Sequence, residues 1–298
     1  MLIEECMLKT GNFKYKATID WIELEVTTID TSNFHAIMKF ANSTNVEGIN
    51  PGDCGETNRF FVKFHDVTSW VSLENKIKDF NDVKPLSEVY ISGVEVSFDA
   101  YSNNNDKDEL VEKTAEFYWL LQLPSSKNRR LASNFKGSAV QPVNHLSNIR
   151  NIMNGHTIYI GSQSDDAFSQ RIYYKTKDNN KLLPIEEHRA RYELTLKGDA
   201  CPFRTIEDAK AYKFCELKKW FKFRKIKDDL DSFRLMLTNA TMQLGIINIP
   251  RRIGGGVMVN AIGTQADIVL NRIAYDKLRE LTKRLQKTRV LRKLRVTH

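Results

Sequence analysis

Three stretches of this chain alternate, residue by residue, between an apolar side and an ionisable side, and no other feature restricts its fold as much. In residues 93–101, Glu95, Ser97 and Asp99 share one side, and Val94, Val96, Phe98 and Ala100 share the other. In residues 170–175, Arg171, Tyr173 and Lys175 oppose Gln170, Ile172 and Tyr174. In residues 189–197, Arg189, Arg191, Glu193, Thr195 and Lys197 oppose Ala190, Tyr192, Leu194 and Leu196. A period of two belongs to strands, whose successive side chains face opposite ways. One apolar face per strand predicts antiparallel sheets covered on one side and half-solvated on the other.

Further strand signals lie at residues 17–27, 59–67, 89–100, 156–161 and 170–177, where β-branched and aromatic residues concentrate. Helical spacing marks residues 106–123, which stop at Pro124, then 206–223, 228–244 and a last helix from about Ala266. Residues 124–143 are polar and basic and read as a loop. The order is strands, helix, linker, strands, helices. It predicts an α+β protein with antiparallel sheets in two lobes, flanking helices and a basic C-terminal helix. The expected division is an N-terminal α+β lobe (1–123), a basic linker (124–144), a second α+β lobe (145–245) and a helical basic segment (246–298). Alternating βα units are missing. Gly254, Gly255 and Gly256 form no dinucleotide fingerprint, and no phosphate-cradling loop motif occurs.

The chain has 298 residues, 41% hydrophobic and 28% charged, so a packed core is expected rather than disorder. No apolar run of about 18 residues predicts a membrane span, and the N-terminus lacks the order of a signal peptide. The four cysteines (Cys6, Cys54, Cys201, Cys215) are scattered, which favours a reducing cytoplasm over a disulfide framework.

Charge is concentrated at the C-terminus. Against 45 Lys+Arg stand 37 Asp+Glu. Residues 277–295 hold nine bases (Lys277, Arg279, Lys283, Arg284, Lys287, Arg289, Arg292, Lys293, Arg295) and one acid, Glu280, a net of +8 that equals the excess of the whole chain. Leu278, Leu281 and Leu285 keep helical spacing there, so the segment reads as a basic amphipathic helix suited to phosphates, an anionic surface or an acidic partner. A second cluster, Lys218, Lys219, Lys222, Arg224, Lys225 and Lys227, is interleaved with Trp220, Phe221 and Phe223. Aromatics among cations suit stacking on unpaired bases, and they equally suit the buried stripe of an amphipathic helix. Arg129 and Arg130 add basic charge to the linker.

If the three alternating strands share a sheet, one face carries a tyrosine, carboxylates and cations together. Any antiparallel sheet with cross-strand ion pairs alternates in this way. The combination also supports chemistry. A phenol has a pKa of about 10, and neighbouring Arg, Lys and a divalent ion favour its phenolate. Carboxylates suit Mg²⁺ or Mn²⁺, and an ion with cations neutralises charge growing on a phosphoryl group. The parts make a phosphodiester transesterase whose tyrosine attacks a backbone phosphate. Glu95 and Asp99 lie four residues apart on a strand, about 13 Å between Cα atoms. Glu95 with Glu193 is therefore the favoured ion-binding pair, with Asp99 the weaker member.

At these residues the sequence resembles rolling-circle replication initiators, specifically the replication-initiation-factor family of small plasmids and phages and the gene II endonuclease of filamentous phages. The resemblance rests on Arg171-Ile172-Tyr173-Tyr174-Lys175, then Asp178, then Arg191-Tyr192-Glu193-Leu194. It spans roughly residues 18–198, and Ile19-Asp20-Trp21 resembles the family's first strand. It implies Tyr173 as the DNA nucleophile, Lys175 as its companion, Arg171 beside them, and Glu193 as a metal-site carboxylate. The family's Arg-Ile-Asp run followed by a second Asp is here Gly93-Val94-Glu95 followed by Asp99, a departure at two positions. Tyr174 is the rival nucleophile. None of the six histidines forms the paired metal motif of another initiator class.

What the resemblance implies is metal-dependent nicking and joining of one strand at an origin, partly single-stranded, through a 5′-phosphotyrosine. The free 3′-hydroxyl then serves as primer. Host helicase, polymerase and a second copy of the chain are partners open to such an enzyme, and a membrane is not. DNA contacts are expected from Arg129, Arg130, Arg191, Lys218, Lys219, Lys222, Arg224, Lys283, Arg284, Lys287, Arg289, Arg292 and Lys293. Three alternatives stay open: a DNA-binding regulator without chemistry, a relaxase of conjugative transfer with the same chemistry, and an interaction protein whose basic helix docks an acidic partner.

Overall fold

The computed structural model describes residues 12–43, 45–51, 55–122, 131–133, 152, 155–160, 167–178, 180–226 and 262–287. Along the chain run β1 (Phe13–Asn33), α1 (Phe34–Phe40), β2 (Val46–Gly48), β3 (Glu56–His65), α2 (Trp70–Val83), β4 (Leu86–Ser102) and α3 (Lys107–Leu120). Then come β5 (Leu131–Ser133), β6 (Ile158–Ile160), β7 (Phe168–Lys175), the small hairpin β8 (Lys177–Asp178) and β9 (Lys181–Leu182), and β10 (Arg189–Lys197). The described chain closes with α4 (Ile206–Ala211), β11 (Arg224–Ile226), β12 (Ile262–Ala266) and α5 (Ile268–Leu285). The class is α+β with antiparallel pairing, as the order of elements predicts.

The chain divides into two compact units, each drawn from separated stretches: Met1–Thr18, Glu95–Ala200 and Phe214–Leu278 in the first, and Ile19–Val94, Cys201–Lys213 and Arg279–His298 in the second. The second unit carries sheet order β2-β3-β1-β4. Ile22, Leu24 and Val26 of β1 are fully buried, as are Phe60 and Val62 of β3. The two strands pair antiparallel from Trp21↔His65 to Thr27↔Arg59, and the register shifts before Ser32. α2 begins with a reciprocal cap, in which Ser69 Oγ accepts from the Ser72 N–H and Ser72 Oγ accepts from the Ser69 N–H. It buries Trp70, Leu73 and Phe80.

The first unit carries β4-β10-β7-β6-β5. β10 and β7 pair antiparallel with Arg191 opposite Tyr173 and Glu193 opposite Arg171. Their apolar side packs against α3, which starts at the Asp106 carboxylate, an acceptor for the N–H groups of Asp108 and Glu109. Phe98 is the centre of an aromatic core, with ring centroids 5.5 Å from Phe117 and 6.2 Å from both Phe221 and Phe223. In α5, Leu270, Ala274, Leu278, Leu281 and Leu285 are all buried, a helical stripe that leaves Lys283 and Lys287 exposed.

Four differences from the sequence reading have physical causes. The polar sides of β4 and β10 are buried rather than half-solvated: Glu95, Ser97, Asp99, Arg191 and Glu193 are all at most 3% exposed. Residues 206–223 are not one helix. α4 ends where Tyr212 turns extended, and a 3₁₀ turn covers Phe214–Lys219. The chain then extends because the Gln122 N–H donates to the Lys222 carbonyl and Leu121 bridges Phe223. Burial of Phe214, Leu217, Phe221 and Phe223 outweighs helical propensity there. Part of the expected loop at 124–143 is strand β5, with Leu131 opposite Ile160. Finally, α1 and α2 went unread although Asn33 and Ser69 are helix-capping residues. The expected helix at 228–244 lies outside the described residues. No helix among the described residues is long and apolar enough to cross a membrane.

Candidate active site

Tyr173 and Glu193 stand on neighbouring strands of the first unit, and the Tyr173 hydroxyl donates to Glu193 Oε1 at 2.7 Å. The Arg191 guanidinium reaches the same oxygen through Nη1 at 3.2 Å. Its other edge grips Asp99 bidentately, Nε to Oδ1 at 2.6 Å and Nη2 to Oδ2 at 2.7 Å. Arg189 adds a second cation, its Nε 3.4 Å from Asp99 Oδ2. Arg171 joins the remaining acids. Its Nη2 donates to Glu95 Oε1 at 2.8 Å, and its Nε lies 2.6 Å from Glu193 Oε2. Thr195 Oγ1 donates to Glu95 Oε2 at 2.6 Å. Charges this deeply buried persist only when paired and hydrogen-bonded, and three carboxylates here share three guanidinium groups.

One pair is imperfect. Arg171 Nε and Glu193 Oε2 are close, yet both atoms are buried without a well-directed hydrogen bond among the described residues. Each glutamate thus has one oxygen held by the protein and one that meets Arg171 alone. One carboxylate oxygen of Glu95 and one of Glu193 lie within 4.8 Å of each other, a spacing at which both can touch one ion. The donors are hard oxygens, so Mg²⁺ or Mn²⁺ fits them in chemistry. Asp99 does not join that pair, because both its oxygens are taken by Arg191.

The electrostatics correct the expected phenolate. Burial pushes the Tyr173 phenol well above its usual pKa, and the Glu193 charge pushes it further, while Arg191 and Arg171 offset only part of this. The hydroxyl is held as a neutral donor with its proton on the line to Glu193. For Arg171, burial works against the charged form, but Glu193 and Glu95 more than compensate and raise its pKa.

The other expected residues are distributed as follows. Lys175 Nζ lies 3.0 Å from Asp178 Oδ1, at the start of the β8–β9 hairpin. Tyr174 faces the apolar side with Ile172 and is buried. Its hydroxyl pairs with His188 Nδ1 at 2.8 Å, and His188 Nε2 meets the Leu183 carbonyl at 3.1 Å. That geometry makes Nε2 the donor and Nδ1 the acceptor. Lys218, Lys219, Lys222 and Arg224 are exposed. They flank Trp220, whose carbonyl accepts from Tyr192 and whose ring sits 4.8 Å from Phe168. Tyr192 and Phe168 belong to the apolar side, so this basic strip covers the sheet face opposite Tyr173. Lys283 and Arg284 lie on α5. Arg129, Arg130, Arg289, Arg292 and Lys293 lie outside the described residues. Sequence reasoning missed Thr195 and Arg189 as members of the network. Both stand on the ionisable side of β10, two residues from a member already named.

No protein-family model matches the chain, and a search of curated proteins finds no match. Among solved structures, the chain is similar to a rolling circle replication initiator protein from Geobacillus stearothermophilus, at 15% identity over 85% of this chain and 100% of that one, with a TM-score of 0.34.

Proposed function

We propose that the chain is a DNA nicking and joining enzyme that starts rolling-circle replication, with Tyr173 as its nucleophile. The observation that carries this reading is the 2.7 Å hydrogen bond from the Tyr173 hydroxyl to Glu193 Oε1, within a cluster that also supplies guanidinium groups. Nucleophile, base and orienting cation are the parts that transesterification needs.

Glu193 Oε1 takes the phenolic proton as Tyr173 Oη bonds to phosphorus. The bond from phosphorus to the 3′-oxygen breaks, and that oxygen takes up a proton and leaves as a 3′-hydroxyl. The DNA 5′ end stays on Tyr173 as a phosphotyrosine, and the reverse sequence rejoins the strand. Arg191 keeps Glu193 in place, while Asp99 fixes Arg191. Glu95 and Glu193 would hold Mg²⁺ or Mn²⁺, which supplies charge neutralisation at the phosphoryl oxygens. The exposed bases of residues 218–224 and of α5 hold phosphates away from the point of attack.

The test uses supercoiled DNA that includes the sequence flanking the chain's own coding region, with Mg²⁺ or with EDTA. Metal-dependent relaxation that leaves protein on a 5′ end is the expected result. Salt-sensitive binding without any adduct would replace this reading with a DNA-binding regulator. The Tyr174–His188 pair has a nucleophile and base of its own. An adduct that survives Tyr173→Phe but is lost in Tyr174→Phe would transfer the role to it.

A further inference from the structure

Arg171 differs from its partners in one respect. Its side chain is 26% exposed, whereas those of Glu95 and Glu193 are 3% and 2% exposed. It is the exposed member of the cluster, and the two acids it contacts are buried. The two oxygens it covers, Glu95 Oε1 and Glu193 Oε2, are the two that no other described group holds. One carboxylate oxygen of Glu95 and one of Glu193 lie close enough to share an ion. The fit on the Glu193 side is poor, since neither Nε nor Oε2 makes a directed hydrogen bond there.

From this we infer that Arg171 is a built-in counter-cation, and that it must swing off the Glu95–Glu193 pair before a divalent ion binds. The inference rests on the metal-assisted reading above and adds a coupling to it. A guanidinium and a divalent cation cannot share the two oxygens, because like charges at that distance repel strongly in a buried site. An incoming phosphate offers Arg171 an alternative bidentate partner. Phosphate and metal then bind with positive cooperativity, since each favours the state in which Arg171 has left the carboxylates. Without nucleic acid, the acids are neutralised by the protein itself and the ion site is closed. Arg171 is in this role a positioning residue, acting through the two glutamates.

The experiment measures Mn²⁺ binding by the electron paramagnetic resonance signal of free Mn²⁺, on the full chain, with and without a single-stranded oligonucleotide. Wild type is expected to bind Mn²⁺ weakly alone and more tightly with the oligonucleotide. By linkage, Mn²⁺ should tighten oligonucleotide binding by the same factor. Arg171→Gln is expected to bind Mn²⁺ at least about tenfold more tightly than wild type without nucleic acid, and to lose most of the coupling. Arg171→Lys keeps one charge but meets two acids with a single ammonium, and should fall between the two. It carries the test if the Gln variant does not fold. Equal Mn²⁺ affinity in wild type and whichever variants fold overturns the inference while leaving the metal reading intact. Unchanged Mn²⁺ binding in Glu95→Gln means that the ion sits elsewhere, and then the metal reading itself falls.

Discussion

Two antiparallel strand pairs in this molecule, β7 with β10 in the first unit and β1 with β3 in the second, share one plan and differ in what water can reach. Both put carboxylates opposite cations on one side. In the second unit, Arg59 pairs with Glu25, with side chains 50% and 24% exposed. Lys63 lies 3.4 Å from Glu23 and 4.8 Å from the Trp21 ring centroid. Glu23 is buried, but the Ser92 hydroxyl satisfies it. These are ordinary cross-strand pairs of a partly wet face. In the first unit the acids are sealed and a phenol donates into the network. The ionisable alternation is common to both pairs. What sets one apart is burial to the point that every charge depends on its neighbours.

That contrast can be broken or sharpened by measurement. The largest expected effect is on chemistry. Tyr173→Phe should lower covalent attachment to DNA at least about a thousandfold, whereas Glu25→Gln in the other pair should leave it unchanged, both read as protein–DNA adduct on denaturing gels. Next is stability. Asp99→Ala strands the buried Arg191 guanidinium and should cost about 3–5 kcal/mol in urea unfolding.

Alkaline pH should have a smaller effect. Burial pushes the Tyr15 phenol up to about 12, with Lys113 pulling it down and Glu116 pushing it up, and the Tyr173 phenol is raised too. Unfolded tyrosines lose their protons near pH 10. The stabilisation is therefore whole below about pH 10 and is lost as pH climbs through the folded values. The urea midpoint should therefore fall between pH 8 and 12, and it should fall less in Tyr15→Phe. The smallest effect is expected in the exposed pair, where Glu25→Gln should change stability by about 0–1 kcal/mol. A loss there as large as that of Asp99→Ala would erase the distinction.

Much of this was legible in the residues. The period of two in 189–197 matches β10 end for end, and the spacing of Leu278, Leu281 and Leu285 matches the buried stripe of α5. Periodicity tells which side chains share a face, because backbone geometry fixes it locally. It does not tell whether water reaches that face. The sealing of Glu95, Asp99 and Glu193 comes from tertiary packing, and so does the raised pKa of Tyr173. The extended stretch at 222–226 was hidden for a similar reason: the partner of Lys222, Gln122, is a hundred residues earlier in sequence. The pairing of Lys175 with Asp178 is local, and its i, i+3 spacing was visible in the run that carries the family resemblance.

The unequal surroundings of Glu95 and Glu193 decide which of them tolerates an amide. At Glu95, a glutamine keeps its carbonyl toward Arg171 and turns its NH₂ toward the Thr195 hydroxyl, which can rotate to accept. At Glu193, donors stand at both ends, Tyr173 and Arg191 on one oxygen and Arg171 on the other. Whichever way the amide flips, its NH₂ abuts a guanidinium. A library randomised at both codons and selected for folding alone should therefore accept glutamine at the first position and almost only acids at the second.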